Sequence, residues 1–160
     1  MTFDPSIDER FAGVHDGCWT PVFRFALALT NDWDAAEDVA QEAFAKLWTH
    51  RDSVAWDRPL LPWLLTTTRH LALDRFRRIR RALARGPVGP LRGLDGDERI
   101  AWLDVQRAMA ELGSLDRAAL TMVAVEGLGY EDVAVALGVS PGAVRARVSR
   151  ARAFLRDRVR

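Results

Sequence analysis

Residues 127–159 read GLGYEDVAVALGVSPGAVRARVSRARAFLRDRV, a pattern that predicts a short helix, a tight turn and a longer helix. The short helix is predicted over Tyr130–Leu137, and Gly138 suits a turn residue with positive φ. Ser140 is a favourable N-cap residue, and Pro141 follows it at the first helical position, where proline is well tolerated. We therefore expect two helices that meet across a short turn.

The longer of these helices divides into an apolar stripe and a basic face. The stripe that we expect to be buried consists of Val144, Val148, Ala151 and Leu155. At 100° per residue, the opposite face carries Arg145, Ala146, Ser149 and Arg150. Such a helix suits the DNA major groove, where arginine binds guanine edges and phosphates, so the segment predicts a DNA-binding helix-turn-helix. The alternative is an arginine-rich amphipathic helix that binds nothing.

Charged side chains alternate in sign along the chain. Residues 1–68, 69–85, 86–144 and 145–160 carry net charges of −6, +6, −5 and +6 in that order. The two basic segments, 69–85 and 145–160, contain seven arginines each, and we call them the first and second arginine blocks. Seven is more than the attraction of a helix C-terminus for cations explains. Two arginine blocks that each end an acidic segment indicate two separate phosphate-binding surfaces.

A break in the middle of the chain predicts two domains. Residues 84–98 read ARGPVGPLRGLDGDE, with four glycines and two prolines that interrupt any helix. The flanking sequence has helical periodicity, and no run alternates with period two over the length of a strand. We therefore predict an all-α protein with helical modules at 1–84 and 99–160, joined by a short flexible linker at 85–98. Because the linker is rich in glycine and proline, we expect the modules to lack a large fixed interface.

Three helical regions are expected in the first module. Residues 8–29 suit one helix or two, and Pro62 begins a helix that continues to about Leu83. Between them, Asp34 and Glu37 form an N-terminal capping signal. The stripe of that helix that we expect to be buried is Ala36, Ala40, Ala43, Phe44, Leu47 and Trp48. Its opposite face carries Asp38, Gln41, Glu42, Ala45 and Thr49.

In the second module, helices are expected around 100–112 and 115–126, ahead of the helix-turn-helix. Residues matching a known pattern are Leu112, Arg117, Glu126-Gly127, Tyr130-Glu131, Val133-Ala134, Gly142, Val144, Arg147 and Arg150-Ala151-Arg152. The module resembles the region-4 domain of extracytoplasmic-function sigma factors, with departures at Gly113, Asp132, Ala143 and Ala146. The resemblance implies contact with the β flap of RNA polymerase. It also implies binding of the −35 promoter element through Ser140, Gly142, Arg145, Ala146, Arg147, Ser149 and Arg150.

Residues 34–50, DAAEDVAQEAFAKLWTH, resemble the region-2 pattern of the same family. The resemblance implies that residues 34–50 bind the clamp helices of the β′ subunit of core RNA polymerase. The contact residues would be Asp38, Gln41, Glu42 and Ala45. Acidic and amide side chains on one exposed face suit a basic helical partner. Taken alone, the same face would be read as ordinary solvated surface.

The helix that begins at Pro62 resembles the next part of region 2. The matches are Trp63-Leu64, Arg69, Leu71, Asp74 and Arg77-Arg78, and the departures are Thr67, Thr68 and His70. In the family this helix and the loop before it read the −10 element, with one base flipped into a loop pocket. The residues implied are Trp56, Arg69, His70, Asp74, Arg75, Arg77 and Arg78. The arginines suit phosphates, and Trp56, the residues around it and His70 are candidates for the pocket. Trp56 and Trp63 could equally belong to the core.

Together these features predict an alternative sigma factor that binds core RNA polymerase, recognises −10 and −35 elements and helps to melt DNA. The alternative is a helix-turn-helix repressor or activator that binds an operator as a dimer without core polymerase. That alternative leaves the face around Asp38 and the first arginine block unexplained. Because the chain ends at the recognition helix, we expect control by a separate anti-sigma factor, as is common in the family.

Enzyme chemistry is not expected. His15, His50 and His70 lack the spacing of metal ligands, and the glycine-rich segment lacks the Lys-Ser/Thr step of a phosphate-binding loop. Cys18 is the only cysteine, which excludes an internal disulfide and a thiolate metal site, so no cofactor is expected. No run approaches the roughly 18 apolar residues of a membrane span, and the N-terminus lacks a signal peptide, so we expect a cytoplasmic protein without membrane insertion.

Overall fold

The computed structural model describes residues 5–83, 105 and 107–158. Its helices are α1 (Pro5–Thr30), α2 (Trp33–Thr49), α3 (Leu61–Leu83), α4 (107–111), α5 (Ser114–Ala124), α6 (Tyr130–Leu137) and α7 (Pro141–Arg158). The described residues contain no strand, which confirms the all-α prediction. The predicted linker at 85–98 lies outside the described residues, as does most of the predicted helix at 100–112.

The turn between α1 and α2 is set by Asn31 and Asp32. Asn31 has φ 53°, in the left-handed region that asparagine tolerates, and its N–H donates to the Leu27 carbonyl at 2.8 Å. The Asp32 carboxylate accepts the Ala35 N–H at 2.7 Å and caps α2. The prediction that Asp34 marks the cap was wrong by two residues. Asp34 lies instead in the first turn, where its charge favours the helix N-terminus.

Helix α3 begins one residue before the predicted Pro62 and ends at the predicted Leu83. Thr68, which departs from the family's apolar residue, is completely buried. Its hydroxyl donates to the Leu64 carbonyl one turn earlier at 2.7 Å, so the polar atom is satisfied inside the core. Thr68 therefore leaves no hydrogen-bonding group of its side chain buried without a partner.

The helix-turn-helix follows the sequence prediction closely. Gly138 has φ 65°, which a residue with a side chain rarely adopts, and Val139 N–H donates to the Ala134 carbonyl at 3.0 Å to close α6. The Ser140 hydroxyl accepts the Ala143 N–H at 3.1 Å and caps α7. The stripe of α7 is buried at Val144, Val148 and Ala151 and half-buried at Leu155.

The two modules pack into one structure. Helix α1 lies against α5, helix α3 lies against α6, and buried apolar side chains of both modules form one continuous cluster. The expectation that the modules lack a large fixed interface is therefore wrong for this structure. The reason is that α1 packs against α5 of the second module as well as against α2 and α3. Its buried residues are Val22, Phe25, Ala26, Ala28 and Leu29.

Arg117 of α5 is the buried cation at this junction. Its Nε donates to the Ala28 carbonyl of α1 at 2.5 Å, and its Nη1 donates to the Leu112 carbonyl at 3.0 Å. The same Nη1 also lies within hydrogen-bond distance of the Met109 and Ala110 carbonyls. Burial lowers the pKa of Arg117 from its usual value, but arginine titrates so high that the side chain stays charged. Four backbone carbonyls thus replace water around a charge that would otherwise be costly to bury.

Candidate polymerase and nucleic-acid interfaces

The outer face of α2 carries the residues predicted to bind polymerase. Asp38, Gln41, Glu42 and Ala45 are all exposed. They lie opposite the buried stripe, in which Ala36, Ala40, Ala43, Phe44 and Leu47 are buried as predicted. Trp48 was also predicted to be buried, but it is 37% exposed and its ring packs edge-on against Phe11 at 5.0 Å. The face of α2 is therefore acidic and available to a partner.

Asp38 also forms a link to the first arginine block. Arg75 of α3 donates to the Asp38 carboxylate at 2.9 Å, and both side chains are substantially exposed. Gln41, one turn along α2, donates to Glu37 on the same helix at 3.2 Å. The residue predicted to bind polymerase and a residue predicted to bind DNA are thus paired in this structure.

The described arginine side chains of α3 differ in their exposure to solvent. Arg77 and Arg78 are exposed, and Arg77 donates to Asp74 at 3.3 Å. Arg69 is half-buried, and its Nε atom is buried without a hydrogen-bond partner. His70 is exposed, with its Nε2 atom 3.1 Å from the Arg69 guanidinium. The predicted −10 residues therefore do not all face the same open surface.

The loop between α2 and α3 borders a cavity of about 300 Å³ that is open to solvent. Its lining residues are His50, Ser53, Val54, Ala55, Arg58, Pro59, Leu60 and Trp63. His50 Nδ1 is 2.8 Å from the Lys46 carbonyl, which leaves Nε2 as the other polar atom of the ring. Arg58 supplies hydrogen-bond donors, and Trp63, 38% exposed, supplies an aromatic surface. These groups are suited to holding a planar, hydrogen-bonding ligand.

Two residues predicted for this pocket lie elsewhere. Trp56 is half-buried rather than exposed, is absent from the cavity lining, and donates from its indole N–H to the Arg51 carbonyl at 2.9 Å. His70 lies on α3 about two turns after Trp63 and does not line the cavity either. His50 was not considered for this pocket and Trp63 was treated chiefly as a core residue, whereas Arg58 is among the residues around Trp56 that were considered. One sequence feature could have indicated this cavity: His50 directly follows α2, and only a short loop separates it from Trp63 at the start of α3.

The recognition helix α7 presents the predicted surface. Arg145, Ala146, Ser149 and Arg150 are exposed, and the Arg145 guanidinium lies 5.2 Å from the centre of the Tyr130 ring. Arg147, which was also predicted to bind DNA, is half-buried and donates to Asp116 of α5 at 2.6 Å. Ser140 and Gly142 lie exposed at the start of the helix.

No helix in the described part of the chain is both long and apolar enough to cross a membrane. Among these same residues, no group of three or more histidine, cysteine or acidic side chains could hold a metal ion.

Comparison with known proteins agrees with both modules. The family model for sigma-70 region 2 matches residues 20–82, and the model for sigma-70 region 4 matches residues 102–155. The chain is 32% identical to the extracytoplasmic-function (ECF) RNA polymerase sigma factor SigL of Mycobacterium tuberculosis, over 79% of this chain and 76% of SigL. It is 31% identical to the ECF sigma factor EcfG of Rhodopseudomonas palustris, over 82% of this chain and 75% of EcfG.

A third relative is much longer. The chain is 33% identical to the probable sigma factor RfaY of Xanthomonas campestris, over 93% of this chain but only 40% of RfaY. Among solved structures, the sigma factor RpoE bound to the anti-sigma factor NepR, from Bartonella quintana, superposes with a TM-score of 0.75 at 26% identity. That match covers 92% of this chain and 94% of RpoE. The chain therefore belongs to the sigma-70 family, in its extracytoplasmic-function group of RNA polymerase sigma factors.

Proposed function

We propose that this chain binds core RNA polymerase and directs it to promoters by recognising a −10 and a −35 element. The observation that carries the proposal is the pairing of two surfaces in one short chain. One module has an exposed acidic face on α2 beside the arginines of α3, and the other has an exposed, arginine-bearing helix α7. A regulator that binds DNA alone would have no need of the first surface.

The α2 face is the proposed site for the clamp helices of the β′ subunit. Asp38, Gln41 and Glu42 are exposed acceptors and donors on one side of a helix whose other side is buried. Such a face favours a basic partner through charge complementarity and charge-assisted hydrogen bonds. The second module would bind the β flap, as the family resemblance implies. Because core polymerase is the partner, we place the protein in the cytoplasm.

Promoter recognition would be divided between α7 and the α3 region. Arg145 and Arg150 project from the exposed face of a capped helix, as direct readout in the major groove requires. Arg77 and Arg78 would follow the phosphates of the −10 strand. We assign the flipped base to the cavity between α2 and α3, with His50, Arg58 and Trp63 in the roles first considered for Trp56 and His70.

Regulation by an anti-sigma factor is also proposed. Two solved structures similar to this chain are of sigma factors bound by such proteins: RpoE with NepR, and CnrH with the cytosolic domain of CnrY. CnrH superposes with a TM-score of 0.64 at 25% identity, over 92% of this chain and 85% of CnrH. A direct test is binding of this chain to anti-sigma candidates from its own genome, measured by calorimetry.

The decisive experiment is run-off transcription with purified core polymerase, with and without this chain. The template would be a library in which the upstream and downstream promoter boxes are randomised ahead of a common transcript. We expect transcripts only when the chain is present, with enrichment of two spaced sequence boxes. Tight duplex binding to a palindrome, with no transcript from core polymerase, would instead identify a dimeric helix-turn-helix regulator and overturn the proposal.

A further inference from the structure

A carboxylate of α5 lies beside the arginines of the recognition helix. Asp116 belongs to the first turn of α5, and its side chain is only 20% exposed. Its Oδ1 atom is 2.6 Å from Nη1 of Arg147 and 3.4 Å from Nη2 of Arg150. One acceptor on a neighbouring helix therefore contacts two arginines that lie about one turn apart on α7.

The two arginines have different surroundings. Arg147 is 26% exposed and its Nε atom is buried, so its side chain lies between α7 and α5. Arg150 is 59% exposed and belongs to the outward face that also carries Arg145 and Ser149. The hydrogen bond from Arg150 to Asp116 uses only Nη2, so the other donors of the guanidinium remain available to a ligand.

The packing of α7 on α5 does not account for both contacts. The pair with Arg147 fills that role, because both of its side chains are mostly covered. The contact with Arg150 covers neither helix, since most of the Arg150 side chain stays in solvent. A negative charge beside a DNA-binding helix also repels phosphates, which lowers the affinity for DNA of any sequence. The second contact therefore suggests a role in recognition.

Orientation of an arginine before it meets DNA favours base readout. A guanidinium recognises guanine by donating two hydrogen bonds, to O6 and N7, which requires its plane to be aligned with the base. A long side chain that is free in solvent loses conformational entropy when it adopts that orientation. A fixed carboxylate that already holds one Nη atom reduces this loss, as preorganisation does in other binding sites.

We propose that Asp116 is a positioning residue that orients Arg150 for a two-hydrogen-bond contact with one guanine of the −35 element. The proposal rests on the promoter recognition proposed above. Asp116 acts through Arg150, because its own carboxylate is too covered to reach a base edge. Arg145 should be independent of Asp116, because its guanidinium lies over the Tyr130 ring, 5.2 Å from the ring centre. Arg145 and Arg150 are about 7.5 Å apart along the helix axis, so they should meet different bases.

The test uses the full chain with core polymerase and a promoter library randomised over the upstream box. The readout is the ratio of transcripts that carry each base at one position. Loss of folded protein lowers all transcripts in proportion, so this ratio reports recognition and not stability. Arg150→Ala identifies the position that Arg150 reads. Asp116→Ala removes the acceptor, and Asp116→Asn keeps the size of the side chain while removing its charge.

Arg147→Leu is the matched control. It removes the other arginine that is bonded to Asp116, and so disturbs the packing of α7 on α5, but it leaves Asp116 and Arg150 in place. The double variant of Asp116→Ala with Arg150→Ala shows whether Asp116 has any effect that does not pass through Arg150.

We expect Arg150→Ala to abolish a preference for guanine at one position. Asp116→Ala should lower the same preference by about three- to tenfold, part of the roughly five- to 150-fold that a two-hydrogen-bond contact provides. Asp116→Asn should have a smaller effect, because an amide oxygen still accepts an uncharged and weaker bond. Arg147→Leu should keep the preference, and the double variant should match Arg150→Ala.

Several results would overturn the role of Asp116. They are an unchanged preference in both Asp116 variants, an equal loss in Arg147→Leu, and a further change in the double variant. A loss that extends to the position read by Arg145 would also overturn it, because it would reflect the seating of α7 as a whole. If Asp116→Ala does not fold, Asp116→Asn decides between the outcomes. Absence of transcripts with the wild type would instead refute the proposed function, and this proposal with it.

Discussion

Arg147 of the recognition helix donates a 2.6 Å hydrogen bond to Asp116 of α5. The two side chains are only 26% and 20% exposed, and the Nε atom of Arg147 is buried without a partner. Arg150 also approaches the Asp116 carboxylate, at 3.4 Å, but its side chain remains mostly exposed. Asp116 therefore holds α7 against α5 through Arg147 and leaves Arg150 mostly exposed on the face that we propose for DNA binding.

Replacing Asp116 by alanine should destabilise the protein. The substitution leaves the guanidinium of Arg147 half-buried without its carboxylate, so we expect the free energy of unfolding to fall by about 1–3 kcal/mol. Urea denaturation followed by circular dichroism would measure the change. Asp157→Ala, an exposed position near the end of α7, is the control and should change stability by less than about 0.5 kcal/mol. Equal stability of the two variants would contradict the structural role of Asp116.

Asp38→Ala and Gln41→Ala should weaken binding to core polymerase without unfolding the chain. Each removes one exposed hydrogen-bonding group from the α2 face, which should cost about 1–3 kcal/mol of binding free energy. Arg75→Ala is the control, because it breaks the ion pair with Asp38 from the other side and leaves the α2 face intact. If Arg75→Ala reduced the core affinity as much as Asp38→Ala, the loss would come from the ion pair and not from contact with polymerase.

Much of the fold could be predicted because its signals are local. The φ of Gly138, the cap at Ser140 and the start of α3 near Pro62 depend on residues within one turn, and all three predictions were confirmed. The cap of α2 was misplaced because Asp32 and Asp34 are both good capping residues. The backbone turn at Asn31 decides between them, and sequence periodicity does not reveal it.

The packing of the modules and the loop cavity could not be predicted in the same way, because they depend on contacts between distant residues. Arg117 was recognised as part of a family pattern, but its bond to the Ala28 carbonyl spans 89 positions in the chain. The sequence left Trp56 open between a base pocket and the core. In the structure Trp56 is half-buried, and its indole N–H donates to the Arg51 carbonyl. Conversely, Trp63 was considered a core residue, whereas part of its ring faces the cavity.

His50→Ala should alter base preference at one position of the −10 element, and His70→Ala should not. His50 lines the cavity and its Nε2 atom is not engaged by the Lys46 contact, whereas His70 does not line the cavity. Loss of one hydrogen bond to a flipped base should cost about 1–3 kcal/mol for the preferred base and little for the others. Transcription from a library randomised over the −10 element would compare the two variants. A shift caused by His70→Ala alone would return the pocket to the residues first inferred from the sequence.

We expect the exposed arginines of α7 to determine base preference and those of α3 to support DNA opening. Arg145 is exposed on the recognition helix, so Arg145→Ala should cost about 1–3 kcal/mol and relax the preference at one or two upstream bases. Arg77 is exposed on α3 and is expected to meet mainly phosphates, so Arg77→Ala should slow promoter opening with little change in upstream preference. The defect of Arg77→Ala relative to the wild type should shrink as the salt concentration rises, because the lost phosphate contact lowers the slope of log affinity against log salt by roughly one unit.

Both variants should be transcribed on the same promoter library at two salt concentrations, with permanganate reactivity of unpaired thymines reporting opening. Arg152→Ala provides a matched control, because Arg152 is exposed on α7 about two turns after Arg145, further from the N-terminal end through which recognition helices contact bases. That control should weaken binding evenly across sequences, as a phosphate contact would, and leave base preference unchanged. If Arg145→Ala and Arg77→Ala shifted the same promoter positions by the same amount, the two surfaces would not read separate elements. The dimeric operator-binding alternative would then account better for the helix-turn-helix than recognition of two promoter boxes does.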